Sequence, residues 1–158
     1  MQRIVRQMAG AMLVTRIGGL ACALPIAHVV ETMRPLPVEP LATPGDRALA
    51  LVDGLAMIRG APVPVVDARK LLGVSGAAAT RFVVVRAAQR RIALIVDAVL
   101  DVRRIDIDAL PGLPPLLSGA RDVVSALGAL DTELLIVLDS ARVLPDDGWH
   151  ALERGGAS

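Results

Sequence analysis

An internal repeat constrains this chain more than any other feature of its sequence. Leu13–Arg16 aligns with Val83–Arg86 at an offset of 70 residues, and Val65–Asp67 aligns with Val137–Asp139 at an offset of 72 residues. Each half carries a hairpin, a crossover, a proline-rich loop, a second hairpin and an aspartate before a short helical turn. About five short strands in roughly 70 residues are typical of a small closed barrel. The repeat therefore predicts a mainly β protein of two pseudo-symmetric five-stranded β-barrels with short helices.

Turn and cap residues divide each half into elements. Gly18-Gly19 predicts a two-residue hairpin turn, because glycine adopts positive φ without strain. Asp67 and Asp139 each precede a helical turn whose free backbone N–H groups a carboxylate can cap, and Gly73 ends the first helix. Strands are predicted at Met12–Ile17, Leu20–Leu24, Leu55–Ile58, Val63–Val66, Phe82–Arg86, Ile92–Val96, Val123–Leu130 and Leu134–Leu138.

Loops separate these elements. Pro35–Gly45 and Leu110–Gly119 are rich in proline or glycine and predict extended loops, and Ser75–Thr80 predicts a joint between the halves. The joint divides the chain into subdomains at about 12–75 and 80–144, and an exchange of terminal segments between the barrels stays open. We expect the second cap to open a helix through Leu144 and the weakly patterned tail, Pro145–Ser158, to be a frayed helix.

Charge and aromatic content argue against nucleic acid binding. The chain has 17 Lys+Arg and 16 Asp+Glu, a net charge of +1 that gives no strong field for phosphate backbones. Phe82 and Trp149 are accompanied by no tyrosine, so stacking platforms for bases are missing. We therefore expect no nucleic acid partner.

Cysteine, histidine and glycine patterns predict no metal and no cofactor. Cys22 is single and cannot form an intrachain disulfide, and His28 and His150 lie far apart without ligand spacing. Neither a Gly-Lys-Ser/Thr nor a Gly-x-Gly-x-x-Gly motif is present to cradle a nucleotide. The apolar stretch Met8–Val30 contains Arg16, so we expect no direct membrane insertion and a cytoplasmic protein.

The repeated aspartates raise one enzymatic alternative. Asp67 and Asp139 could form a dyad that shares one proton, as in a two-lobed acid protease. Such enzymes carry Asp-Thr/Ser-Gly at each aspartate, whereas this chain has Asp67-Ala68-Arg69 and Asp139-Ser140-Ala141. Helix capping explains both residues. We therefore predict a protein that is not an enzyme, with no catalytic residues, and keep the hydrolase as a remote alternative.

The stretch Met57–Asp67 is unusual for a hairpin. Arg59-Gly60 occupies the turn, and Pro62 and Pro64 follow inside the strand, where proline marks an edge or a bulge. One interpretation is an ordinary solvated arginine. The other is an interface anchor, because arginine offers five donors and is enriched at binding hot spots.

At these residues the sequence resembles the CheW-like domain of bacterial chemotaxis coupling proteins. The resemblance runs from about Met12 to Leu144. Its motifs, in order, are Arg59-Gly60, Val63–Asp67, Leu71-Leu72, Ala93–Asp97 with Val99 and Val102, Leu127–Asp131 and Leu134–Asp139. Met57 replaces the usual asparagine before the turn.

The resemblance implies a fold, a function and partners. The fold is a single CheW-like domain, residues 1–158, of two SH3-like barrels. The function is a non-enzymatic adaptor that couples chemoreceptors to a CheA-type histidine kinase in receptor arrays, with the kinase regulatory domain and the receptor's cytoplasmic tip as partners. A paralogous pathway, pilus motility or surface sensing, and a fragment of a larger signalling protein stay open. The protein-binding residues that it implies are Arg59, Gly60, Gly54, Val29, Glu31, Phe82 and Val99.

Overall fold

The chain forms two five-stranded sheets that pack on a shared core. A computed structural model describes residues 10–41, 45–78, 80–105, 123–131 and 133–156. The strands are β1 (Ala11–Ile17), β2 (Leu20–Pro25), β3 (Val29–Met33), β4 (Val52–Ile58), β5 (Ala61–Asp67), β6 (Arg81–Ala87), β7 (Arg90–Val96), β8 (Ala98–Arg104), β9 (Val124–Leu130) and β10 (Glu133–Leu138). The helices are α1 (Ala68–Leu72) and α2 (Asp146–Gly156), with 3₁₀ turns at Ile26–His28, Arg47–Leu49 and Ser140–Arg142.

The two sheets have the same plan. The first has the order β8-β1-β2-β10-β9 and the second has the order β3-β6-β7-β5-β4. The parallel pairs, β2 with β10 and β5 with β7, occupy corresponding places. The mainly β, pseudo-symmetric prediction is thus confirmed. Within the described residues no backbone hydrogen bonds join the two edge strands of either sheet. Each predicted barrel is therefore an open five-stranded sheet.

The halves of the sequence interleave in space. β1 and β2 join β8–β10 in the first sheet, and β3–β5 join β6 and β7 in the second sheet. Both sheets therefore contain strands from both of the segments 12–75 and 80–144. The repeat could not reveal this pairing. Val65–Asp67 and Val137–Asp139 have the same pattern, and either could supply the parallel neighbour of β2. The structure pairs β2 with the strand that contains the second of them, with Val137 opposite Ala23.

Strands in the middle of each sheet are buried on both faces. One face contributes to a core shared by the two sheets. The other face contributes to a smaller cluster whose buried residues all come from that same sheet. The shared core includes Leu13, Ile17, Leu24, Val83, Val85, Leu94, Ile136 and Trp149. Because neither face meets water, these strands read as continuous apolar runs rather than as alternating patterns.

Local predictions at turns and caps are confirmed. Gly18 and Gly19 have φ of 57° and 85°, and a Cβ on Gly18 would overlap Val74. Asp67 caps α1 by accepting a hydrogen bond from the Arg69 backbone N–H at 3.0 Å, and Gly73 ends α1 with φ of 69°.

Other local predictions need correction. The strands β3 and β8 were not predicted, because short half-exposed edge strands carry little apolar periodicity. Asp139 caps only a three-residue 3₁₀ turn, and the tail forms the eleven-residue helix α2 instead of a frayed end. The predicted loop Leu110–Gly119 lies outside the described residues. No helix in the described ranges is long and apolar enough to cross a membrane.

Truncation in the shared core should destabilise the whole chain. Ile136 is fully buried in this core, and we expect Ile136→Ala to lower the free energy of unfolding by about 2–5 kcal/mol through lost burial and a cavity. Urea denaturation measures this change. Leu134 lies on the same strand and is 49% exposed, so Leu134→Ala is the matched control and should change stability by less than about 0.5 kcal/mol. Equal losses for the two variants would contradict the core assignment.

Candidate protein-binding site

The turn between β4 and β5 holds an arginine in a left-handed conformation. Arg59 has φ of 54° and Gly60 has φ of 80°. Positive φ at both central residues is the geometry of a type I′ hairpin, whose twist matches the flanking strands. The left-handed region is unfavourable for a side chain as large as that of Arg59, so other contacts must hold the turn.

An ion pair with Glu31 supplies such a contact. The Arg59 Nε donates to Glu31 Oε2 at 3.2 Å, and Nη2 donates to Oε1 at 2.9 Å. This two-bond geometry is the strong form of an arginine–carboxylate pair. Because Glu31 lies on β3 and the turn follows β4, the pair joins the two edge strands of the second sheet.

The pair is charged and accessible. The hydrogen bond from Arg59 lowers the pKa of the Glu31 carboxyl, against a smaller opposing effect of burial, and the charges of Arg59 and Arg91 lower it further. The same hydrogen bond raises the pKa of Arg59. The Arg59 side chain is 72% exposed and that of Glu31 is 23% exposed. The arginine is thus fixed in place while its outer surface faces solvent.

Gly54 has a structural reason to be glycine. A Cβ at this position would overlap the Glu39 carbonyl oxygen and would lie 2.8 Å from Val38 Cγ1. Glu39 and Leu55 exchange backbone hydrogen bonds of 2.8 and 2.9 Å. Gly54 therefore lets the chain around Glu39 lie against the outer edge of β4.

The apolar candidates separate into two groups. Val29 and Val99 are half-buried and pack against the shared core, on β3 and on β8. Val99 also lines a shallow depression of about 400 Å³ whose rim includes Met33 and Arg81. Phe82 is only 1% exposed and belongs to the cluster inside the second sheet. Its side chain supports the site from within and does not reach the surface.

Met57 changes the surface beside the turn. It lies on β4, two residues before Arg59, and its side chain is 61% exposed. An exposed methionine next to an anchored guanidinium combines an adaptable apolar contact with a directional charge.

Asp97 is not among the protein-binding residues predicted from the sequence, but the structure gives it a connecting role. Its Oδ2 accepts hydrogen bonds from the Gly18 N–H at 2.9 Å and from the Ala77 N–H at 3.2 Å. The carboxylate thus links the β1–β2 turn of the first sheet to the segment between α1 and β6, which connects two strands of the second sheet. Its position directly after a predicted strand was the available signal, because aspartate favours such backbone contacts.

The structure gives no support to the acid-protease alternative. Burial acts to raise the pKa of Asp67, but hydrogen bonds from the Arg69 side chain and backbone, together with the charges of Arg69 and Lys70, outweigh burial and lower it. The Arg69 side chain binds both Asp67 oxygens at 2.9 Å. Asp139 accepts from the Ala141 N–H at 3.0 Å. Asp67 therefore caps α1 and Asp139 caps the 3₁₀ turn that follows it, and Asp67 is ionised rather than poised to share a proton.

Cys22 offers no nucleophile. It is fully buried, and burial raises the pKa of its thiol to about 12. Among the residues that the structure describes, no group of three or more His, Cys, Asp or Glu side chains could hold a metal ion.

These features define a mainly β scaffold in which two related sheets share a core, and an ion-paired arginine is exposed at one end of the second sheet. The CheW-like domain model matches residues 11–148, and the chain belongs to the CheW-like family, whose domains are non-enzymatic scaffolds of chemotaxis signalling.

The chain is similar to known proteins of chemotaxis signalling. It is 32% identical over 103 residues to "Chemotaxis protein CheA" of Cereibacter sphaeroides, covering 62% of this chain and 14% of that protein. The crystal structure of the scaffolding protein TtCheW from Thermoanaerobacter tengcongensis has the same fold. Its TM-score is 0.75 at 22% identity, over 89% of this chain and 96% of that chain.

The thiol of Cys22 should be protected in the folded state. Because the thiolate is the reactive form and its pKa is about 12, we expect a disulfide reagent at neutral pH to leave Cys22 unmodified for hours. Denaturation in urea should release one reactive thiol per chain. Rapid modification without urea would show that the strand β2 is not buried as described.

Acid should remove the contribution of Asp67 to stability. Its pKa is lower in the folded chain than in the unfolded chain, so this contribution is present at neutral pH and is lost as pH falls through both values. We expect Asp67→Asn to reduce the free energy of unfolding at pH 7 and to have progressively less effect below about pH 4. Urea titrations across this pH range measure the difference. A constant difference at all pH values would contradict the assignment.

Proposed function

We propose that the chain couples chemoreceptors to a CheA-type histidine kinase. The single observation that carries the proposal is the exposed Arg59, held by Glu31 at the end of the second sheet. The family assignment and the similarity to a chemotaxis protein CheA support this class of partner. The chain would act in the cytoplasm, associated with membrane receptor arrays through its partners.

The regulatory domain of the kinase is the first proposed partner. Arginine has five N–H donors, of which two bind Glu31 and three remain for a partner. A guanidinium fixed on one side loses little freedom when the other side is bound, so Arg59 orients the contact. Gly60 and Gly54 contribute by shaping the backbone on either side of this arginine.

The helical tip of a receptor is the second proposed partner. An amphipathic helix binds by placing apolar side chains into a groove. The depression lies where β3 and β6 approach the start of β8, and its lining combines apolar Met33, Ala98 and Val99 with polar Thr32, Thr80, Arg81 and Asp97. Val29 packs against the shared core, and Phe82 belongs to the buried cluster against which Met33 packs, so changes at these two residues would act through packing.

A paralogous pathway is the alternative function. An adaptor for pilus motility or surface sensing would use the same anchored arginine with a different kinase and receptor. Binding assays with the kinases and receptors of the source organism distinguish these pathways.

Charge reversal at Arg59 should weaken partner binding without unfolding the chain. We expect Arg59→Glu to lower affinity for the kinase or the receptor by more than about tenfold, which is about 1.4 kcal/mol. Arg59→Lys should also bind less tightly than the wild type, because lysine keeps the positive charge but lacks the planar guanidinium that donates two parallel hydrogen bonds. Isothermal titration calorimetry measures both affinities.

Arg104→Glu is the matched control, since Arg104 is an exposed arginine on the edge strand of the first sheet. Its binding should equal that of the wild type. Wild-type affinity of a folded Arg59→Glu protein would refute the role of Arg59, whereas failure of the wild type to bind either partner would refute the proposed function.

A further inference from the structure

Two connections carry the described chain from one sheet to the other. The first runs from β2 to β3 through the 3₁₀ turn Ile26–His28, and the second runs from β7 to β8 through the single residue Asp97. Val29 and Val99 begin or follow the strands after these connections and are 70 positions apart, the offset of the repeat. The two connections therefore occupy equivalent places in the fold.

The connection at Asp97 is tied to both of its surroundings. Its backbone N–H donates to the Arg16 carbonyl at 2.9 Å, at the end of the β1–β8 ladder. Its Oδ2 accepts from the N–H of Gly18 at 2.9 Å and from the N–H of Ala77 at 3.2 Å. A carboxylate that accepts from backbone N–H groups makes a charge-assisted hydrogen bond, which is stronger than a neutral one. Asp97 thus fastens the hairpin turn of the first sheet to the segment that enters β6 of the second.

Close packing surrounds the Asp97 carboxylate. Its side chain is 9% exposed, and Arg69 Nη1 lies 3.8 Å from Oδ1. A Cβ on Gly76 would overlap both Asp97 Oδ1 and the Arg69 side chain, so glycine at this position lets the two groups approach. Arg69 is itself held by two hydrogen bonds to Asp67. The nearby positive charge offsets part of the cost of burying the carboxylate, and Asp97 is fixed in position.

The equivalent connection has no such carboxylate. Ala27 stands 70 positions before Asp97, and its methyl group cannot accept a hydrogen bond. The turn Ile26–His28 begins without a side-chain cap and ends with a backbone hydrogen bond from Val29 to Ile26. Its last two residues are exposed. One connection between the sheets is therefore anchored by a buried side chain, whereas the other is an exposed turn.

The depression of about 400 Å³ lies at the anchored connection. Its walls come from different sheets, with Thr32, Met33 and Arg81 from the second and Val99 from the first, and Asp97 lies between them in the chain. Because the two walls belong to different sheets, the width of the depression depends on how the sheets are placed relative to each other. Asp97 both lines the depression and ties its two sides.

We propose that Asp97 is a positioning residue that sets the placement of the two sheets at the depression. Its bonds to the Gly18 and Ala77 N–H groups hold the walls at a fixed separation, so that a helix meets a preformed surface. When these bonds are removed, binding must first restore the placement, which lowers affinity. The effect on affinity rests on the proposed function, because it requires a receptor helix in the depression. The effect on the sheets does not.

Residual dipolar couplings of the backbone amides measure the placement of the sheets without a partner. For the wild type we expect the couplings of both sheets to fit one alignment tensor. For Asp97→Ala each sheet should still fit a tensor of its own, but the two tensors should differ. A folded Asp97→Ala protein whose two sheets share one tensor would overturn the proposal. If Asp97→Ala does not fold, Asp97→Glu decides in the same way, because its additional methylene must displace the tied segments.

Two further variants separate positioning from a general loss of structure. Asp97→Asn keeps an oxygen that accepts from the same N–H groups, so its sheets should share one tensor as in the wild type. Asp101→Ala is the matched control, because Asp101 is a 52% exposed carboxylate on β8. Its sheets should also share one tensor. Separate tensors for Asp101→Ala would overturn the assignment to Asp97.

Calorimetry with a helical peptide of the receptor's cytoplasmic tip tests the effect on binding. We expect Asp97→Ala to lower affinity for the peptide about tenfold, and Asp97→Asn to restore it. Affinity for the kinase regulatory domain should stay unchanged, because Arg59 lies on the β4–β5 turn and not in the depression. Equal losses for both partners would overturn the positioning role. A wild type that does not bind the peptide, while the tensors behave as expected, would refute the receptor contact and still support the placement by Asp97.

Discussion

The parallel pairing of β2 with β10 is the constraint on which the rest of the structure depends. It places the first two strands of the chain in the same sheet as the last three. Separating the two halves would therefore break main-chain hydrogen bonds inside a sheet, not only a contact between domains. The shared core reinforces this arrangement, because β1 and β6 each present one buried face to it and the other to their own sheet.

Short-range chemistry was readable from the sequence, whereas pairing was not. Gly18-Gly19, Asp67 with α1, and Gly73 were placed correctly, because turn and cap chemistry is decided within a few residues. The partner of β2 was not, because two repeated strands offer it the same apolar edge. Arg59 was singled out by its turn. Its bond with Glu31 could not be derived from spacing, since the two residues lie 28 positions apart and meet only when the second sheet forms.

Differences between the repeats carry the functional information. The backbone is conserved between the sheets to the extent that Arg59 and Asp131 share a left-handed φ, yet their charges are opposite. The two sheets share a backbone plan, and the side chains at their ends determine which partner surface each end can bind.

Native-state hydrogen exchange tests the central claim, that interleaving makes the two sheets one cooperative unit. Amides in β2 and in β7 report on the first and the second sheet separately. We expect both sets to exchange with the same opening free energy, equal to that of global unfolding measured by urea. If one sheet exchanged with a clearly lower opening free energy while the other stayed protected, the sheets would unfold independently and the account would be wrong.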